Sequence, residues 1–374
     1  MRLTLDFEVS TSNKGNPYDQ TNKAVCLGLK VNDNTTNVLY DDFSSIQELL
    51  KETTLVIGFN WKFDGAWLRR LGYEYEGRLW DCQYAEFILR NQCNPYPSLS
   101  DCADTYGLET KLDKVSELWD QGIDTDQINR EILTEYCTRD VDLTYQIYLK
   151  QLELFKTTHA HKYKLFLLGM ADTQVLLEME WNGMCWDEGL SSIKSSECET
   201  KLNELRATIL GEYRDLPINL NSGDHLSALL YGGTIVHEYR VPVGVYKTGQ
   251  KVGQPRYKIL QQDYVFPRRF EPLPKSELKK EGFFSTDEQT LRSLKGSKKD
   301  KEILNQLEEY AKIEKLKGTY YDGYTKLRQE MNWPENKLHG QYNQVVARTG
   351  RLSSSRPNLQ NISPEAKQLF YSRY

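Results

Sequence analysis

The sequence predicts a mixed α/β domain followed by a mainly helical region. Three observations predict it. Strand-like and helix-like periodicities alternate through the first 150 residues. Two long helical stretches follow, at about 165–213 and 300–331. Between them lies a segment, about 236–280, of different composition: it holds five of the chain's 12 prolines, and 10 Lys+Arg against 4 Asp+Glu.

Each element has its own signal. Leu3, Leu5, Phe7 and Val9 alternate with Thr4, Asp6 and Glu8, the period of a strand with one face in a core. Residues 24–31 and 37–43 read as further strands, separated by turn-rich stretches at 13–16 and 32–34. Ser45-Ile46-Gln47-Glu48 reads as a capping box opening a short helix that runs to about Glu52. Residues 55–59 form an apolar run short enough for a central strand. Helical patterns follow at 62–71, 82–91 and 99–106, and a long one runs from about 129 to 155. Three strands, a helix, a strand and then helices describe a mixed sheet flanked by helices, of the ribonuclease-H-like kind. The pattern of 165–213 breaks once, at Asn182-Gly183, where Gly183 suits a helix C-cap. Within the basic segment, 239–245 and 256–264 read as a hairpin-like pair of strands around a turn at 247–255. Ser285-Thr286-Asp287-Glu288 caps a helix that ends near Gly296. The two long helical stretches could form an antiparallel pair, and no internal repeat of fixed period is found.

Composition bounds the rest. A chain of 374 residues carries a prior of two or three domains and can bury a real core. With 39% hydrophobic and 27% charged residues it is not a disordered chain. No apolar run approaches a membrane span, so no membrane partner is expected. Met1 leads straight into the strand at 3–9, so no secretory or transit segment is expected, and the cytoplasm is the expected location. Seven scattered cysteines without a C-x-x-C pair indicate neither a zinc ribbon nor a disulfide framework; they read as small buried residues. His159 and His161 do not share a helix face and lack further ligands at zinc spacing. No phosphate-cradling G-x-x-x-x-G-K-[ST] loop or dinucleotide fingerprint occurs. The net charge of −5 hides an asymmetry: residues 1–150 hold 25 Asp+Glu and 15 Lys+Arg, and residues 151–374 hold 28 and 33. An acidic part joined to a basic part suggests unlike jobs.

Three residue pairs stand out. Asp6 and Glu8, two apart on a strand, share the polar face opposite Leu5, Phe7 and Val9. Asn60 and Asp64 are four apart where the strand at 55–59 runs into a helix. Tyr136 and Asp140 are four apart on the long helix and stack on one face, while Asp142 points away. Each pair alone is ordinary, and an acidic pair on a strand is usually a solvated face. Their joint order and spacing are far more specific. Four carboxylates converging without counter-charge would repel, and some would be forced to stay protonated. Divalent cations resolve that conflict, and carboxylate oxygens suit hard ions such as Mg²⁺ or Mn²⁺. Two such ions can bind both the attacking and the leaving oxygen of a phosphodiester.

The set Asp6-x-Glu8, Asn60-x-x-x-Asp64 and Tyr136-x-x-x-Asp140 resembles the three motifs of proofreading 3′-5′ exonuclease domains, over about residues 1–150. The resemblance implies that Asp6 bridges two metal ions, that Glu8 and Asp140 hold the ion on the nucleophile side, and that Asp64 holds the second. It implies that Tyr136 positions the attacking water and that Asn60 lies near the substrate strand. Asp81, in Asp81-Cys82-Gln83, reads instead as a helix cap.

A second signature lies at 341–362, QYNQVVARTGRLSSSRPNLQNI. Arg348, Arg351 and Arg356 offer fork-shaped donors for phosphates or base edges. Asn343, Asn358, Gln360 and Asn361 can donate to the acceptors of a minor groove. Thr349-Gly350-Arg351-Leu352-Ser353-Ser354 followed by Pro357-Asn358-Leu359-Gln360-Asn361-Ile362 resembles the segment between thumb and palm of family-A DNA polymerases, the relatives of bacterial DNA polymerase I. The resemblance implies minor-groove contacts near the primer end for Arg351, Asn358, Gln360 and Asn361. Met179-Glu180-Trp181-Asn182-Gly183-Met184 resembles the helix end that opens the thumb, and 315–327 resembles the thumb's returning helix.

Taken together, the resemblance spans nearly the whole chain and implies three parts: an exonuclease domain at 1–155, a thumb with connecting helices at 156–338, and the start of a palm at 339–374. The segment 236–280 is an insertion relative to cellular thumbs and is expected to grip duplex DNA or a processivity partner. The family's Asp-Tyr-Ser-x-x-Glu motif is absent, and Glu365 is the sole acid in residues 340–374. DNA synthesis is therefore expected to need a second polypeptide carrying palm and fingers, as in a split polymerase of phage type, at work in the cytoplasm of an infected bacterium. Two rival readings are a free-standing ribonuclease D-like exonuclease, which has no use for the segment at 341–362, and a non-catalytic DNA-binding subunit, against which the intact acids stand.

Overall fold

In the computed structural model, which describes residues 1–109, 114–249 and 251–372, the alternating N-terminal segment is strand β1 (Arg2–Val9). β2 (Ala24–Val31) pairs with it antiparallel, and β3 (Asn37–Tyr40) pairs antiparallel with β2. Helix α1 (Ile46–Glu52) carries the chain to β4 (Leu55–Gly58), parallel to β1; α2 (Trp61–Arg70) then leads to β5 (Arg78–Asp81), parallel to β4. The sheet order is β3-β2-β1-β4-β5. Helices α3 (Cys82–Leu89), α4 (Leu99–Tyr106), α5 (Lys114–Asp120), α6 (Arg130–Lys156) and α7 (Tyr163–Asn182) follow. This mixed sheet with flanking helices is the ribonuclease-H-like class that the sequence predicts. Gly183 ends α7 at φ +64° with its N–H on the Met179 carbonyl, as a C-cap should, and a two-residue strand, β6 (Met184–Cys185), comes next.

Three local expectations change. β1 has no solvated face. With β2 and β4 on its flanks, Thr4 and Glu8 are buried alongside Leu3, Leu5, Phe7 and Val9, and Asp6 is half-buried. The capping box at Ser45 does not form. Residues 43–45 already turn helically, with Ile46 N bonded to Phe43 O and Gln47 N to Ser44 O, so Ser45 is in the right-handed helical region and its hydroxyl caps nothing. β5 went unread because four residues carry too little period. The seven cysteines are free thiols; Cys26, Cys82, Cys102 and Cys137 are buried, whereas Cys93 is exposed.

The chain divides into two compact units, Met1–Gly189 with Gly323–Tyr374, and Leu190–Asp322. The second contains most of α8 (Glu188–Leu210), then α9 (Gly223–Tyr231), a long antiparallel hairpin of β7 (Gly233–Val245) and β8 (Pro255–Phe266), α10 (Glu288–Ser293) and α11 (Lys298–Leu316). Asp287 is the N-cap of α10, accepting from Thr290 N. The long helices run antiparallel: Ser191 Oγ donates to Tyr321 O, Lys317 pairs with Glu199, and Lys201 with Glu309. Leu205, Ile209, Leu230, Tyr231, Phe266, Phe270 and Leu304 pack into this unit's own core. The helix expected as one stretch to residue 331 is interrupted by a π-turn at Lys317–Tyr321, where Gly318 eases the extra residue. It resumes as α12 (Asp322–Glu330).

Back in the first unit, β9 (Lys337–Leu338) pairs with β6, and β10 (Gln341–Asn343) pairs antiparallel with β11 (Ser353–Ser355). Lys62 Nζ, in α2, donates to Tyr342 O and to Glu180 Oε1 at 2.5 Å; Tyr342 N donates to the same Glu180 oxygen at 2.6 Å. Among the described residues, no helix is long and apolar enough to cross a membrane.

Candidate active site

The acids meet because α6 lies directly on the sheet. Gly28 is the cross-strand partner of Asp6, and a Cβ there would sit 2.6 Å from Val141 Cγ2 and 2.7 Å from Cys137 Sγ. The missing side chain lets α6 descend beside β1. Tyr136 and Asp140, on either side of Cys137, then reach the acids of β1 (Asp6 and Glu8). All four line one open cleft of about 380 Å³, together with Lys14, Phe63 and Trp119.

Electrostatics reports the convergence. Burial pushes the Tyr136 phenol far above its ordinary range, and the charges of Asp140, Glu8 and Asp6 push it further, so it stays a neutral hydrogen-bond donor. Its ring packs edge-on against Trp119 at 5.8 Å, and Trp119 is fixed by a 3.1 Å bond from Nε1 to Thr125 Oγ1. Asp64 does not line this cleft; it is fully buried and accepts from the backbone N–H of Phe7 at 3.0 Å. Its pKa is held well up, first by burial and then by the charge of Asp6. Asp142 faces elsewhere and accepts from Lys30 and Thr36.

Could the site hold cations? Asp6 and Glu8 carboxylate oxygens and Cys137 Sγ lie within 4.8 Å of one another. The thiol belongs to the packing: its hydrogen bond with Cys26 and its burial hold its pKa well up, leaving a neutral group. The oxygen donors remain, and burial and the charge of Asp6 hold the pKa of Asp64 well up. That donor set fits hard divalent ions.

Asn60 stands apart from this cleft. It precedes α2 in the left-handed region, φ +61°, and lines a second cleft of about 430 Å³ with Lys62, Tyr84, Tyr96, Gln344 and Arg356. Lys14 and Phe63 line both clefts. Neither was singled out in the sequence. The detectable signal for Lys14 is its turn, in which Asn13, Lys14 and Gly15 all have positive φ. Asp81 is a cap, as expected, but of two helices: one carboxylate accepts from Gln83 N and Tyr84 N of α3, and from Asn60 N and Trp61 N at the start of α2.

Two family models match the chain. Residues 16–154 match the family model of the 3′-5′ exonuclease, and residues 257–373 match that of DNA polymerase family A. DNA polymerase I of Borreliella burgdorferi is 26% identical over 84% of this chain, and that of Bacillus subtilis 27% over 81%. The chain is similar to family-A DNA polymerases in both matched parts. It spans 29% of the length of each of these two relatives. The fold agrees: the polymerase domain of Pol1 from M. smegmatis, in complex with DNA primer-template and dNTP, matches at a TM-score of 0.67 with 17% identity, over 98% of this chain and 53% of that one. The exonuclease match starts after β1, so Asp6 and Glu8 stand on geometry.

Within this chain, the polar signature is the β10–β11 loop and the turn after it. Arg348, Arg351, Arg356, Asn358, Gln360 and Asn361 are all exposed. They are not equivalent. Asn358 Oδ1 accepts from Gln360 N and so caps the short turn Leu359–Asn361, which engages its acceptor end in the fold. Ser354 Oγ pins the turn by accepting from Leu359 N. Arg356 lines the second cleft, whereas Arg348 and Arg351 line neither cleft.

Proposed function

We propose that this chain removes the 3′-terminal nucleotide of a DNA strand as the proofreading 3′-5′ exonuclease of a family-A polymerase, and that it binds primer–template DNA through its residues 341–362. One observation carries the first part: Asp6, Glu8, Tyr136 and Asp140 share a single cleft, and the buried Asp64 accepts from the N–H of Phe7, the residue after Asp6. The polymerase-family match at 257–373 favours this reading over a free-standing nuclease.

In the proposed reaction Asp6, Glu8, Asp64 and Asp140 hold the divalent cations, Mg²⁺ or Mn²⁺. When bound, two such ions supply a water acidic enough to attack at neutral pH and positive charge beside the leaving 3′ oxygen. The chain's own groups do the rest. The neutral Tyr136 hydroxyl donates a hydrogen bond that orients the water, and Glu8 accepts from that water on its other side. Lys14, shared by both clefts, offers its ammonium to the phosphate backbone of the strand. Asn60 contacts the nucleotides upstream of the scissile bond. Water oxygen bonds to phosphorus as the P–O3′ bond breaks, and the 3′ oxygen takes up a proton, releasing a nucleoside monophosphate. Arg351, Asn358, Gln360 and Asn361 contact the minor groove of the primer–template near the primer end, and Arg348 adds a donor for its phosphates or base edges.

The test mixes the chain with a single-stranded 3′-labelled oligonucleotide and Mg²⁺. Release of labelled mononucleotide by the wild type, lost in Asp6→Ala, is expected. An Asp6→Ala protein that digests as fast as the wild type would sink the assignment. Arg351→Ala is expected to weaken primer–template binding while single-strand digestion is unchanged; equal loss in both assays would count against its groove contact.

A further inference from the structure

The hairpin of β7 and β8 has no partner within its unit beyond its base. Ile235 and Phe266 anchor it in the unit's core, and Tyr264 is half-buried there. Past that point the ribbon is bare on both faces: Tyr239, Val243, Val245, Tyr257 and Ile259 are 39 to 55% exposed. From Val236 to Val245 it extends for about 30 Å at the usual strand rise. An isolated two-stranded ribbon of that length is marginal in water, and its open edges invite pairing with other chains unless charge or a partner protects them.

Its charge identifies the partner. Residues 239–262 contain Arg240, Lys247, Lys251, Arg256 and Lys258 and not one Asp or Glu. Among the described residues, none of these five makes an ion pair, whereas the same unit pairs Lys280 with Asp224 and Arg269 with Asp300. Arg256 and Lys258, two apart on β8, share one face. Lys247 and Lys251 stand in the loop at the tip. The bulge at Pro242–Gly244 adds twist to the outer half. A row of unpaired cations on the outer part of a thin protruding ribbon, where Glu238 and Asp263 near the base are its nearest acids, is built for a line of phosphates.

We propose that the outer half of this hairpin grips the phosphate backbone of duplex DNA, independently of sequence. The proposal rests on the reading that the chain binds primer–template DNA, and adds a contact that none of the residues at 341–362 supplies. Each phosphate neutralised releases counterions, so the slope of log affinity against log salt measures how many contacts exist, at about 0.9 per phosphate on B-form DNA.

The experiment measures binding of the full chain to a fluorescent primer–template duplex over a salt series. It compares the wild type with the triple variant Lys251→Gln, Arg256→Gln, Lys258→Gln and with the charge-preserving Arg256→Lys. All three positions are exposed, so the fold tolerates the changes. The triple variant is expected to lose about 2 to 3 units of slope and tenfold or more in affinity at low salt, with digestion of a short single strand unchanged. Arg256→Lys is expected to keep the wild-type slope. A triple variant with wild-type affinity and slope would overturn the proposal and leave an acidic protein as the hairpin's occupant. A slope that falls equally in Arg256→Lys would overturn it too, because charge would not be the cause. A wild type with no duplex affinity would sink both this proposal and the reading of the chain as a primer–template binder, whereas loss in Arg351→Ala alone would sink only this one.

Discussion

At the scale of single residues, the site balances repulsion against burial. The pKa of Asp64 is held well up by burial and by the neighbouring charge of Asp6. Removing that charge relieves Asp64 but removes a donor. Asp6→Asn is therefore expected to leave the cation-free protein at least as stable in urea, while 3′-label release falls about a thousandfold, given that a cation contributes several kcal/mol to such a transition state. Equal stability loss and activity loss would mean that Asp6 is structural. Tyr136→Phe keeps the ring against Trp119 and removes only the donor, so a rate about 10 to 100 times lower is expected with an unchanged melting temperature. His339 gives a pH signature far from the acids. It is stacked on Tyr18 at 4.2 Å, its Nδ1 lies 2.9 Å from Glu180 O, and burial lowers its pKa from 6.5 to about 4. Between those values the unfolded chain binds more protons than the folded one. Its contribution is then complete above pH 6.5 and is lost as the pH falls toward 4, amounting to about 3 kcal/mol. Urea midpoints at pH 7 and pH 4.5 should differ accordingly, and His339→Phe should narrow the difference.

At the scale of elements, the site exists because two of them touch. The i,i+2 and i,i+4 spacings of Asp6, Glu8, Tyr136 and Asp140 were legible in the sequence, because they need only the period of a strand and of a helix. That α6 crosses β2 at Gly28 was not legible, since no local pattern says which glycine a helix will cover. Gly28→Ala should push Cys137 and Val141 outward. A loss of about 1 to 3 kcal/mol is expected in urea, with slower digestion because Tyr136 and Asp140 move with the helix; unchanged stability would show that α6 can give way there. Lys62 was equally invisible, although it stands between Asn60 and Asp64 in the motif. It ties α2 to α7 through Glu180 and to β10 through Tyr342 O. Lys62→Met leaves Glu180 buried with only the Tyr342 N–H, at a cost of about 3 kcal/mol. Adding Glu180→Gln should return much of that stability, and a double variant as unstable as the single one would contradict the pairing.

At the scale of the whole molecule, the charge asymmetry has a physical distribution. The acids of the cleft all belong to the first unit, and the outer part of the ribbon, residues 239–262, which has no acid, belongs to the second. Sequence periodicity found both ends of that contrast but underestimated the hairpin, whose strands run to 13 and 12 residues, because an exposed ribbon has no apolar alternation to mark its ends. Each unit also has its own core, with Leu3, Leu5, Val56 and Ile57 in one and Leu205, Leu230 and Phe270 in the other. The consequences of a core defect should follow that division. Leu230 is 1% exposed, and its carbonyl accepts from Arg269 N and Phe270 N just beyond the base of the hairpin. Leu230→Ala opens a cavity costing about 2 to 5 kcal/mol next to the segment that anchors β8. Proteolytic cleavage within residues 233–266 should accelerate, because the ribbon's base opens more often. Duplex affinity should fall with it, since a frayed hairpin presents its cations poorly. Digestion of a short single strand should stay at the wild-type rate, because every residue that touches the scissile end lies in the other core; a digestion rate that drops in step with the proteolytic susceptibility would show instead that the two cores share one cooperative structure.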